Sequence, residues 1–212
     1  MLAVVLATAI ILIIWEGYLF HRNRQRGREV VSWLKQVVRG HGEIVGIEWA
    51  GPESFRAGLD ICSAVFRRAQ VLVHLRPCLP VSWIWSRWGK REETLRFEAD
   101  FHSPPGFALE VHNHRWRAPR GQRVSGSSWT EFRQIGPFVL TTRTDWQQEI
   151  TSMLTSLVAS RDCNFLSVRF SRTSPHFVAT IPLEALSPEC QTATEFFFVL
   201  RELASCGSAS RS

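Results

Sequence analysis

Leu2 to Trp15 runs fourteen residues without a charged side chain, LAVVLATAIILIIW. Glu16 and Gly17 interrupt the run, and Tyr18-Leu19-Phe20 completes it. At a rise of about 1.5 Å per residue, roughly twenty residues of helix cross the roughly 30 Å hydrocarbon core of a bilayer. Residues 1–21 are therefore expected to be a transmembrane anchor, with residues 2–20 in contact with the lipid. Glu16 lies near one end, where a carboxylate reaches the headgroups, and Trp15 and Tyr18 flank it as interfacial aromatics do. A cleaved signal peptide needs a basic segment before the run and a small-x-small site after it. No basic side chain precedes this run, and WEGYLFHRNRQRGR, which follows it, lacks such a site.

The pattern then turns amphipathic. Val30, Trp33, Leu34 and Val37 recur at i, i+3, i+4, i+7, which predicts a helix over 29–39 that can continue from the anchor. Gly40-His41-Gly42 ends it. Residues 22–42 are read as a basic juxtamembrane helix and 43–206 as one folded α+β domain, with 207–212 a disordered tail. Val45, Ile47 and Trp49 alternate as a strand, residues 53–70 are ambiguous, and Val71–Leu75 reads as a buried strand. Thr94 to Phe101 gives the cleanest period-two pattern. Leu95, Phe97, Ala99 and Phe101 face one way, and Arg96, Glu98 and Asp100 the other. Phe107 to His114 alternates next, which predicts a hairpin with the preceding strand. Residues 117–130 are rich in Gly, Ser and Arg and mark a weak subdivision. Phe138–Thr142 is a short strand. A helix opens at Asp145 with Gln148 three residues on, a capping-box arrangement. Residues 166–170 and 177–181 form a hairpin, and Ser187-Pro188 starts a last helix. The sum is an α+β domain of antiparallel hairpins packed against about three helices.

Charge changes the picture of partners. The chain carries a formal +6, which alone would raise nucleic acid as a partner. Arg22, Arg24, Arg26 and Arg28 follow the apolar run, with Lys35 and Arg39 beyond, and the flank before the run has no basic side chain. Residues 16–39 hold +4 of the net charge, so no nucleic-acid partner is expected. The basic flank instead predicts an N-terminus outside the cell membrane and a cytoplasmic domain. It also predicts anionic lipid headgroups around Arg22–Arg28. Five cysteines, an odd number with no CxxC spacing, fit a reducing compartment and argue against a zinc knuckle.

Candidate chemistry is sparse. Glu110, His112 and His114 share one strand face, and histidines grouped with carboxylates are suited to a divalent metal. The alternative is a solvated face where Glu, His and Arg pair across strands. Trp83, Trp85 and Trp88 lie among Arg87, Lys90 and Arg91, a composition suited to membrane contact, although Trp is buried on average and the alternative is a core with the charges outside. Phe196–Phe198 covers more than one helical stripe. Cys163 with His176 is a remote nucleophile–base pairing. No GxSxG, phosphate loop or HExxH is present, and no cofactor is expected. The leading expectation is a membrane-tethered interaction or scaffold module with an unknown protein partner. The alternatives are a membrane-associated enzyme or metal-binding protein using the His/Glu face, and a peripheral lipid-sensing domain.

Overall fold

The computed structural model describes residues 1–63, 65–77, 93–105, 108–113, 130–135, 138–142, 165–185, 198, 200–202 and 204–205. Helix α1 runs unbroken over Leu2–Val38. The anchor and the amphipathic segment expected after it are thus one helix. Its apolar part stands bare: Val4, Val5, Ile10, Ile13 and Ile14 are exposed, and only 6% of its most apolar stretch is covered by protein. A core helix would bury such residues. This length of uncovered apolar helix suggests membrane association.

The second part of α1 obeys a different rule. Leu19, Asn23, Gly27, Val30, Leu34 and Val38 are buried and recur every three or four residues. That spacing lays one stripe along the helix, and the stripe packs on a sheet. Leu19, inside the segment expected to lie in lipid, is the first residue of this stripe. Past the helix, Gly40 adopts φ 92°, which costs a residue without a side chain little. His41 N–H donates to Val38 C=O at 2.9 Å and closes the turn.

Among the described residues nine strands follow: β1 (Gly42–Trp49), β2 (Ser54–Ile61), β3 (Phe66–His74), β4 (Thr94–Phe101), β5 (Leu109–Asn113), β6 (Thr130–Ile135), β7 (Phe138–Thr142), β8 (Ser167–Phe170) and β9 (Phe177–Pro182). They form one sheet in the order β1-β2-β3-β4-β9-β8-β5-β7-β6, with every pair antiparallel. One face carries the core: Phe55, Ala57 and Leu59 of β2, Val71 and Val73 of β3, Leu95 and Phe97 of β4, and Phe177, Ala179 and Ile181 of β9. Trp33, Leu34 and Val37 of α1 belong to the same cluster. An N-terminal apolar helix with a large antiparallel sheet is the α+β class expected.

The hairpin expected between Thr94–Phe101 and Phe107–His114 does not form. β4 pairs with β3 and β9, and β5 pairs with β7 and β8. Two strands lie between them, because β9 returns from late in the chain to take the place beside β4. The hairpin expected over 166–181 is present as β8–β9. Among the described residues the helices are α1, a 3-10 turn at Leu183–Ala185 and helical positions at 198, 200–202 and 204–205. The helix expected from Asp145 and the segment 117–129 lie outside the described residues.

Close packing at Gly27 gives a first test. A methyl group there would stand 2.5 Å from Trp49 Cη2 and 3.0 Å from Cζ2. Trp49 also packs on Phe55, with ring centroids 5.0 Å apart, so the indole has little freedom to move away. Overpacking costs about 1–3 kcal/mol, against a gain of about 1 kcal/mol in helix propensity. Gly27→Ala is expected to lower the thermal midpoint of the full chain in nanodiscs by a few degrees. An unchanged or higher midpoint would mean the indole yields.

Candidate functional site

Two groups of polar residues stand out, one where α1 leaves the apolar span and one on the sheet face opposite the core.

At the first, the domain grips the helix. Asn23 is 3% exposed, and its Nδ2 donates to Pro52 C=O at 3.1 Å and to Arg76 C=O at 2.7 Å. Pro52 lies in the turn between β1 and β2, and Arg76 just beyond β3. Two loops of the sheet are thus fastened to α1 a single turn past the bare apolar segment. The four arginines expected to contact lipid then separate by role. Arg26 binds Glu29 at 2.9 Å and approaches the largely buried Glu93 at 3.6 Å. Glu93 also receives Arg76 at 3.4 Å. This network ties the helix to the start of β4. Arg24 instead stands over aromatic rings, its guanidinium carbon 4.3 Å from the Trp49 centroid and 5.5 Å from that of Phe20. Arg22 and Arg28 are exposed. Trp83, Trp85 and Trp88 lie outside the described residues.

Arg24, Arg28, Val31 and Lys35 fall on one helical stripe, at i, i+4, i+7 and i+11. They face β1 across a groove of about 460 Å³, completed by Ser32, Ile47 and Trp49. Its floor is apolar and its helical rim cationic. The opposite flank of α1 borders a groove of about 320 Å³, where Arg26 and Glu29 neutralise each other.

The second group is a polar ladder. The register sets Gln70, Glu98, Val178, Arg169 and Glu110 in one row across β3, β4, β9, β8 and β5. Leu72, Arg96, Thr180, Ser167 and His112 form the next row. Glu98 and Glu110 are each only 9% exposed, so this is not the solvated face that the alternation of β4 predicts. Glu98 Oε2 accepts from Gln70 Nε2 at 2.7 Å, and its Oε1 lies 2.8 Å from Arg96 Nε. That last contact is an ion pair by distance, but its angle falls short of a hydrogen bond, and Arg96 Nε counts among the buried nitrogens without one. Arg169 Nε is another. Burial, and then the neighbouring Arg96, lower the Arg169 pKa from its usual value; Glu110 and Glu98 pull the other way.

Glu110 and His112 do share a face, as expected, and His114 lies outside the described residues. Glu98 and Asp100 are on the same face but on β4, three strand spacings of about 4.8 Å from β5. Metal–oxygen bonds of about 2–2.6 Å cannot span that gap. No group of three or more His, Cys, Asp or Glu is placed to hold a metal ion among the described residues. His176, considered as a base for Cys163, accepts the Phe101 N–H on Nδ1 at 3.1 Å, so that nitrogen already has a structural task. Cys163 lies outside the described residues.

His74 sits at the end of β3 beside this ladder. Burial first, and Arg96 second, push its pKa below the ordinary 6.5, while Glu98 raises it. Much of the residue still reaches solvent, so the shift is worth little free energy. A lowered pKa means that charging His74 opposes folding. Its contribution is intact above pH 6.5 and is lost as pH falls below that value. Histidine NMR titration of the full chain should place the His74 midpoint under 6.5. Arg96→Gln should raise it only part of the way, because burial is the larger cause. A midpoint at or above 6.5 in the native chain would contradict this.

No protein-family model matches the chain, and no curated protein matches it. Among solved structures it is similar to the crystal structure of the mycobacterial trehalose monomycolate transport factor A, TtfA. The identity is 12% and the TM-score 0.41, over 89% of this chain and 95% of that one. At that identity and score the likeness assigns no role to any residue here.

Proposed function

We propose that this chain is a membrane-tethered interaction module, its folded domain held at a fixed stance on the cytoplasmic surface. The observation that carries the reading is the continuity of α1 from bare apolar helix into packed core, with Asn23 fastening two sheet loops at the junction. A flexible linker would let the domain wander; a buried helix does not. The arginines that follow the span, Arg22, Arg24, Arg26 and Arg28, support this orientation. Arg22 and Arg24 then meet anionic headgroups, at about 1 kcal/mol each. The partner is a protein of unknown identity.

Two measurements test this. A reporter fused after Ser212 should be active only in the form that works in the cytoplasm; activity on the other side overturns the orientation. A photo-crosslinking residue placed in turn at exposed positions of the domain, in intact membranes, should capture a defined protein from at least one surface. Capture at no position would reject the interaction role.

A further inference from the structure

β1 is the first strand of the sheet order, and among the described residues nothing pairs with its far side. Native edges are commonly blunted by Lys, Pro or a bulge. β1 has a register shift between Ile44 and Gly46 but carries neither Lys nor Pro, and it leaves Val45 71% and Ile47 39% exposed. The cationic groove lies beside this same edge, under the flank of α1. A strand added to β1 would extend the sheet beneath that flank. Its helix-facing side chains would fill the groove, and its opposite side chains would meet the face that carries Glu43 and Glu48.

We propose that the β1 edge and the α1 groove together form a strand-addition site for an extended segment of a partner protein. Such a segment presents acidic and apolar side chains toward Arg28, Lys35 and Ile47, and neutral or basic ones on its other face. The inference rests on the interaction role proposed above and names the surface and the chemistry. Main-chain hydrogen bonds to an open edge supply affinity in this mode, and alternate side chains supply selectivity.

Geometry separates this occupant from two others. Arg28 and Lys35 stand roughly 12 and 22 Å along the helix from Phe20, at about 1.5 Å per residue. The headgroup layer adds only about 5–8 Å beyond the hydrocarbon. A lipid seated in the bilayer reaches Arg24 but not the length of the groove. A second copy is disfavoured by direction. β1 leaves α1 beside Val38 and comes back to Trp49, which packs at Gly27, so it runs back along the helix toward the membrane. Antiparallel β1–β1 pairing would invert the second chain, and both anchors could not then enter the same membrane from one side.

The probe is a fluorescein-labelled peptide, Thr-Glu-Thr-Val-Thr-Glu-Thr, with a control in which Lys replaces both Glu. Each is titrated into the full chain in phosphatidylcholine nanodiscs and followed by anisotropy. The acidic peptide should bind about tenfold more tightly than the basic one. Arg28→Glu/Lys35→Glu should reverse that order, and Ile47→Ser, which removes the apolar contact without adding charge, should weaken both. Arg28, Lys35 and Ile47 are exposed, so an unchanged thermal midpoint confirms that these variants remain folded. Hydrogen exchange should slow at β1 amides when the acidic peptide binds.

Equal binding of both peptides, or exchange protection elsewhere than β1, overturns the proposal. So does competition by phosphatidylglycerol in the discs that survives Ile47→Ser, which would mark a lipid site. Crosslinking of a Val45→Cys chain to its own copy would mark a homodimer and overturn it as well. If the peptide fails while photo-crosslinks form at another surface, the β1 site is wrong and the tethered-module reading stands. Crosslinks at no surface remove both.

Discussion

Phe177→Ala will lower the thermal midpoint of the full chain in nanodiscs by roughly 8–16 °C, the equivalent of about 4 kcal/mol. Phe177 has no exposed surface and sits on β9, the strand that joins β4 to β8. Its ring centroid lies 5.0 Å from that of Phe170, 6.1 Å from Phe97 and Phe101, and 6.4 Å from Phe66. Truncation therefore leaves a cavity lined by four rings from three other strands, and those rings cannot collapse inward without shifting the sheet. The cost is the lost transfer of the ring from water plus the unfilled volume. Phe177→Leu keeps most of that volume and should recover about half of the loss. Phe198 is 55% exposed, and Phe198→Ala should move the midpoint by about a degree or less. A small effect at Phe177 would mean that the sheet is not continuous through β9.

The place of β9 also shows where sequence reasoning stops. The apolar stretch of α1 was legible from composition alone: fourteen uncharged residues in a row need no knowledge of what they touch. β4 was legible because Leu95, Phe97, Ala99 and Phe101 alternate without a break. β2 has the same alternation in Phe55, Ala57, Leu59 and Ile61, but Ala and the intervening Gly58 dilute its apolar signal. β3 begins with Phe66-Arg67-Arg68-Ala69, where two successive arginines break the period and the pairing with β4 shifts register. Strand order is a different matter. Nothing local in Thr94–Phe101 says that its neighbour is Phe177–Pro182 rather than the next alternating run. Pairing is decided by which arrangement buries the most aromatic surface, and that is a property of the whole chain. For the same reason Glu98 and Glu110 read as solvated positions yet are buried, since period two reports that two faces differ and not that one of them is wet. The arginines divide likewise. Arg24 and Arg28 share a helical stripe that could be drawn from spacing, whereas the engagement of Arg26 with Glu93 depends on the fold.

Asn23→Asp will destabilise the chain by about 3–5 kcal/mol at neutral pH, and the deficit will shrink on acidification. The two donors of Asn23 Nδ2 face two carbonyl oxygens, at 3.1 and 2.7 Å. An ionised carboxylate has no donor to offer them and would bring a charge to a position 3% exposed. The introduced carboxyl is neutral in the fold well above the ordinary Asp pKa of about 3.9, because burial and the two carbonyls both oppose the charge. The folded state then binds a proton that the unfolded state releases, so lowering the pH from 7 toward 4 restores stability relative to the native chain. Asn23→Ala separates the terms. It removes both hydrogen bonds without adding charge, costs about 2 kcal/mol, and its deficit does not recover with acid. The readout that matters for function is local. If Asn23 fastens the domain to the helix at the membrane, hydrogen exchange across residues 20–30 should accelerate in both variants more than exchange in β4 and β9. Uniform acceleration would mean that Asn23 stabilises the domain as a whole and does not set its stance. A pH-independent deficit in Asn23→Asp would mean that the carboxylate escapes to solvent, and the junction would then be looser than its two short hydrogen bonds require.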